Sequence, residues 1–169
     1  MKSARPVVAV IVAAALAVGV YLAFDHIGSA QVAPNVGYTL LDGTKATTGE
    51  LRGKVVLINF WATSCTTCVH EMPQIVATHE KFKDRGYETL AVAMSYDPPA
   101  YVINFAETRK LPFAVAIDNT GAIAKSFGGV QLTPTSLLVN KRGEIVKRFV
   151  GEPDFVALHK LVDKLLAET

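Results

Sequence analysis

Val55-Val56-Leu57-Ile58-Asn59-Phe60-Trp61-Ala62-Thr63-Ser64-Cys65-Thr66-Thr67-Cys68-Val69-His70-Glu71-Met72-Pro73 is the stretch whose reading decides the fold. It opens with an apolar run, Val55 to Phe60, broken only by Asn59. Such a run is the pattern of a central strand buried on both faces. It continues into apolar residues at helical spacing: Cys68, Met72, Ile75, Val76 and Phe82. Cys-Thr-Thr-Cys therefore lies where a strand ends and a helix begins. Open α/β sheets place their chemistry at that junction.

A cysteine at a helix start meets unpaired backbone N–H groups and the positive end of the helix dipole. Both favour thiolate over thiol, so Cys65 is the expected nucleophile. Cys68, three residues on, shares its helix face and can close a disulfide back onto Cys65. Cys65 would attack a disulfide, and Cys68 would resolve the mixed disulfide. A structural disulfide is the first alternative, but so short a loop adds little stability. A zinc site would need a second ligand pair. The chain has only two cysteines, and its four histidines (His26, His70, His79, His159) are not paired at ligand spacing. No metal and no cofactor are expected.

The 169 residues suffice for one domain plus an extension. A net charge of +2 without a basic cluster gives nucleic-acid binding no support. Pro6 to Phe24 carry no charge and are long enough to cross a bilayer as a helix. Lys2 and Arg5 precede them, and the next Lys or Arg is Lys45, which predicts a cytoplasmic amino terminus and a domain outside. The competing reading is a signal peptide cleaved near Gly28-Ser29-Ala30. Either way the domain leaves the cytoplasm for a compartment where disulfides persist. The expected division is an anchor and linker over 1–30 and a domain over 31–169.

His26 to Asn35 reads as linker. Tyr38–Leu41 and Thr44–Thr47, around Asp42-Gly43, read as a hairpin. Glu50 to Gly53 is a turn before the central strand. The cysteine helix should run to about Arg85, stop at Gly86 and kink at Pro73. Leu90–Ser95 is a strand, and Asp97-Pro98 opens a helix with Asp97 as its cap. Phe113–Ile117 is a strand and Asn119–Phe127 a short helix. Thr135–Val139 and Glu144–Val150 form a hairpin, and Pro153 opens a last helix with the stripe Phe155, Leu158, Leu161, Val162 and Leu165. Strands alternating with helices imply a largely parallel α/β sheet covered on both faces, made mixed by the closing hairpin.

Asn59-Phe60-Trp61-Ala62, Cys65 to Cys68, Glu71, Pro73 and Thr133-Pro134-Thr135 together resemble the thioredoxin superfamily. Within it the chain is most similar to the membrane-anchored, extracytoplasmic TlpA/ResA-like thiol–disulfide oxidoreductases. The added strand–helix unit, Leu90 to Lys110, fits that group. The resemblance implies a thioredoxin-like fold over roughly Ala33 to Ala167. It implies Cys65 and Cys68 as the redox-active disulfide and Pro134 as a cis proline facing it. It further implies Thr133 pairing its backbone with an extended substrate, Glu71 tuning thiol reactivity, and Trp61 packing at the substrate side. Two positions depart from the thioredoxin pattern. Asn59 stands where many members carry a buried aspartate, and Ser64 where they carry tryptophan before the first cysteine.

The expected function is reduction of disulfides in exported proteins. The resemblance implies apocytochrome c or copper-site proteins as partners, and a membrane electron donor that recharges the pair. An oxidase or general exchanger is the alternative within the class; a Cu(I)-binding assembly factor is the alternative outside it. No Lys, Arg or His lies between Trp61 and Cys68 to stabilise a thiolate further. That predicts a reducing potential, nearer about −270 mV than the roughly −120 mV of a strong oxidant.

Overall fold

The computed structural model describes residues 31–168. The proposed membrane span Pro6–Phe24 and the cleavage site near Ala30 lie outside them. Among the described residues no helix is long and apolar enough to cross a membrane.

Strand β4, Val55–Trp61, is buried along its whole length. It pairs in parallel with β5, Tyr87–Ala93, and antiparallel with β7, Thr135–Val139. β6, Ala114–Ile117, extends the parallel side, and β8, Glu144–Val150, the antiparallel side. The apolar run thus sits where its composition requires, between two neighbours in a six-stranded mixed sheet. The outer strand β1, Gln31–Val32, pairs with β8 at Ile145 and Glu144. That corrects the reading of His26 to Asn35 as linker throughout. Two residues carry too little pattern to announce a strand.

Alternation along β4 divides the core. Val55, Leu57 and Trp61 face one side; Val56, Ile58 and Phe60 face the other. The first side is covered by α1, Thr66–Phe82, α2, Pro99–Arg109, and α4, Phe155–Ala167. Right-handed crossovers put α1 and α2 on one face, because β4, β5 and β6 follow one another in parallel. The second side is covered by the short α3, Ala122–Ser126, and by residues of the hairpin β2, Gly37–Thr39, with β3, Lys45–Thr47. Asp42-Gly43 turns that hairpin, with Gly43 at φ 86°.

The helix boundaries show what sequence pattern leaves open. α1 runs through Pro73 to Phe82, and a 3₁₀ turn carries the chain to a left-handed Gly86. The turn before β4 is a 3₁₀ segment, Thr48–Leu51. α4 begins after Pro153: Asp154 is its cap, accepting from the N–H groups of Val156 and Ala157 at 2.9 and 3.1 Å. α3 is shorter than expected because Asp118, at the end of β6, takes the N–H groups of Ile123 and Ala124. Asp97 does not cap α2. Pro98 holds the cap position, and Asp97 is turned elsewhere.

Leu57 is fully buried beneath the three covering helices. Leu57→Ala is expected to destabilise the chain by about 3 kcal/mol. Denaturant unfolding of the oxidised protein measures this. A loss under about 1 kcal/mol would be too small for a fully buried leucine on a close-packed sheet face.

Candidate active site

Beyond β4 the chain makes one turn before α1. The N–H of Cys65 donates to the carbonyl of Ala62 at 3.1 Å, so Thr63 and Ser64 form the corner. Cys65 then has the extended backbone of a cap residue, and its Sγ accepts from the N–H of Cys68 at 3.2 Å. Sulfur here takes the role that oxygen has in ordinary helix caps. The same N–H that caps the helix stabilises a thiolate at Cys65. Cys65 and Cys68 are joined as a disulfide, with their Cα atoms 5.2 Å apart. Cys65 is partly exposed, whereas Cys68 is fully buried. An incoming group therefore meets Cys65.

Glu71 lies one turn along α1 from Cys68, on the buried face, and is 0 % exposed. Asn59 projects from the same face of β4 as Leu57 and Trp61. Its Nδ2 donates to Glu71 Oε1 at 3.0 Å and to Ser136 Oγ at 2.9 Å. Among the described residues Glu71 Oε2 has no hydrogen-bond partner. A carboxylate with one neutral donor in an apolar site is poorly solvated. Burial dominates and pushes the Glu71 pKa up to about 7; the Asn59 hydrogen bond opposes this, and nearby Glu152 adds to it. Asn59 thus supplies a donor where an aspartate would have competed for the same proton. His70, on the exposed side of α1, pairs with Glu152 at 3.1 Å and faces away from the disulfide.

The second loop arrives through strand register. Phe60 is paired with Thr135 across β4 and β7. β7 is antiparallel to β4, so its first residue lies beside the last residues of β4. Thr133 and Pro134 therefore stand at the cysteine end of the sheet, and the peptide bond between them is cis. Pro134 is buried and Thr133 partly exposed. Among the described residues, no hydrogen bond engages the backbone N–H or C=O of Thr133. Trp61 is 0 % exposed and stacks at a tilt on Phe105, 5.1 Å between ring centroids. The structure places it in the core, with no surface to offer a substrate.

One residue at this end escaped the sequence reading. Asp97 accepts from both the N–H and the hydroxyl of Thr63, each at 2.5 Å. A signal was present in Asp97-Pro98-Pro99. A capping aspartate bonds the second or third N–H of its helix, and Pro99 removes one of those donors.

A helix cap carrying a partly exposed sulfur, a buried partner cysteine and a cis proline at the same end of the sheet define a thioredoxin-like thiol–disulfide oxidoreductase. The Redoxin family model matches residues 28–163, and the chain belongs to that family. The thiol-disulfide oxidoreductase ResA of Bacillus thuringiensis subsp. konkukian (strain 97-27) is 37 % identical over 133 residues, 79 % of this chain and 76 % of the relative. A putative thioredoxin from Neisseria meningitidis, solved in solution, is 40 % identical and superposes with a TM-score of 0.77 over 83 % of this chain and 93 % of its own. A putative thiol:disulfide interchange protein DsbE from Chlorobium tepidum is 26 % identical, with a TM-score of 0.75 over 82 % of this chain and 97 % of its own.

The raised Glu71 pKa ties stability to pH. An unfolded glutamate titrates near 4.5, so between about pH 4.5 and 7 the folded chain keeps a proton that the unfolded chain releases. The contribution is complete below the unfolded value and is lost as pH rises through about 7. Oxidised protein should lose up to about 3 kcal/mol of stability across this window through Glu71 alone. Glu71→Gln should flatten that slope. Denaturation midpoints taken from pH 4 to 8 test this, and an unchanged slope would mean Glu71 titrates normally.

Proposed function

We propose that the chain is a disulfide reductase acting on exported proteins outside the cytoplasm. The observation that carries the direction is the environment of Cys65 Sγ. Its hydrogen-bond partner is a neutral backbone N–H, and the buried ionisable group one turn beyond the pair is an acid. A strong oxidant stabilises its thiolate well beyond what a helix start gives, and no cationic group in the Cys65–Cys68 segment does so here.

In the reaction, the Cys65 thiolate attacks one sulfur of a target disulfide. The Cys65–target bond forms and the other target sulfur leaves as a thiolate. Cys68 then loses its proton and attacks Cys65 Sγ. The Cys65–Cys68 bond forms and the second target thiol is released, two electrons having passed from the pair to the target. Glu71 takes part at Cys68: a group titrating near 7 can accept the Cys68 proton and return it when the pair is recharged. Thr133 offers its free backbone groups to an extended segment around the target cysteine, and Pro134 holds that segment over the disulfide. Trp61 supports the loop from beneath.

By resemblance, the targets are the haem-attachment cysteines of apocytochrome c or copper-site cysteines of respiratory oxidases, with a membrane dithiol as electron donor. The uncharged Pro6–Phe24 stretch behind Lys2 and Arg5 supports a single span with the domain outside.

Three measurements test this. Equilibrated with glutathione redox buffers, the protein should show a potential below roughly −180 mV; a higher value favours an oxidase or isomerase. In single-cysteine variants, Cys65 should alkylate faster and at lower pH than Cys68, and reversed reactivity would reject the assigned roles. A reporter active only outside the cytoplasm, fused after Thr169, should be active and membrane-bound; an inactive fusion would overturn the exported reading.

A further inference from the structure

The oxidoreductase reading leaves the loop after β5 without a task, yet this loop touches both halves of the active site. It is a turn closed by the N–H of Asp97 on the carbonyl of Met94 at 3.0 Å, with Ser95 and Tyr96 at its corner. It lies beside the Ala62–Cys65 turn because Trp61 is paired with Ala93, and the Met94 N–H donates to the Trp61 carbonyl at 2.9 Å. Asp97 is 2 % exposed, and both its oxygens are spent on Thr63, two residues before Cys65. Tyr96, 57 % exposed, reaches the other way: its hydroxyl meets Thr133 Oγ1 at 3.1 Å.

We infer that Tyr96 and Asp97 are positioning residues: a two-armed brace that holds the Cys65 turn and the cis-proline loop in register for disulfide exchange.

Three arguments support it. A buried carboxyl group is costly unless hydrogen-bonded, and Asp97 spends its bonds on the nucleophile's turn rather than on its own helix. Thr63 is at the corner of that turn, where its N–H points away from the turn's own closing bond. Disulfide exchange needs attacking sulfur, target sulfur and leaving sulfur in line, so a displacement of Cys65 by about an ångström is enough to slow it substantially. On the other arm, Tyr96 binds the Thr133 side chain and leaves the Thr133 backbone open to substrate.

The two arms make separable demands. A small disulfide needs only Cys65, whereas a peptide disulfide needs Thr133 as well. Stopped-flow oxidation of the reduced full-length protein by glutathione disulfide and by a peptide disulfide distinguishes them. Asp97→Ala should slow both reactions about tenfold. Asp97→Asn, which keeps one acceptor oxygen, should recover part of that loss. Tyr96→Phe should leave the small disulfide unaffected and slow the peptide about threefold, read as weaker saturation. Thr63→Val, which deletes the donor hydroxyl, should act like a mild Asp97→Ala, and the double variant should be no slower than Asp97→Ala alone.

Equal rates in wild type and Asp97→Asn, or additive losses in the double variant, would overturn the Asp97 arm. Equal slowing of both substrates by Tyr96→Phe would overturn the Tyr96 arm. Should Asp97→Ala fail to fold, Asp97→Asn and Thr63→Val decide the first arm, and the exposed Tyr96→Phe the second. Failure of the oxidoreductase reading itself would look different: wild type would react with neither disulfide.

Discussion

The register of β4 against both its neighbours is the constraint on which the rest of the site depends. Trp61 opposite Ala93 fixes where the β5 loop leaves the sheet. Phe60 opposite Thr135 fixes where the cis-proline loop enters it. Both pairings fall at the last residues of the strand whose next turn delivers Cys65. A slip of one residue on either side would exchange the faces of β4, sending Leu57 and Trp61 to the side of α3 and Asn59 away from Glu71. Such a slip is opposed by the burial of every side chain in the strand. The apolar run therefore holds the geometry of the site as well as the core.

That same constraint explains how a polar pair is tolerated inside the sheet–helix layer. Asn59 is at a position whose neighbours on its face, Leu57 and Trp61, are apolar and fully buried. Its amide is offset by Glu71 and Ser136, contributed by α1 and β7. The pair is incompletely satisfied, since among the described residues Asn59 Oδ1 and Glu71 Oε2 lack partners. A fully apolar replacement would pack without that cost. What the incomplete satisfaction provides is a carboxyl group whose protonation changes near neutral pH, a property that a well-hydrogen-bonded acid lacks.

Most of this was legible in the residues. The apolar run at 55–60 and the cysteine spacing each carry a signal within a few positions of chain, and they announce the central strand and the helix cap. The roles of Thr133 and Pro134 came only from the resemblance to the thioredoxin superfamily. Asp97 was not legible in the same way. Aspartate followed by proline is a strong local sign of a helix start, and the competing partner, Thr63, lies in a turn that only the pairing of β4 with β5 brings near. β1 was missed because two residues have no periodicity to read. Trp61 was assigned to the substrate side by the resemblance alone; alternation along a doubly covered strand points its ring into the core.

The short β1 has a consequence for the protein among its neighbours in solution. Among the described residues it pairs with β8 only at Glu144 and Ile145, and no described strand lies beside Val146 to Val150 on that side. Val146 and Val150 are exposed along it, and such an edge is a template for strand addition by another molecule. Lys147 and Arg148 sit between those valines and are exposed. Two cations in the middle of a short open edge repel an identical edge brought against it. The two cations thereby oppose edge-to-edge pairing of two such sheets.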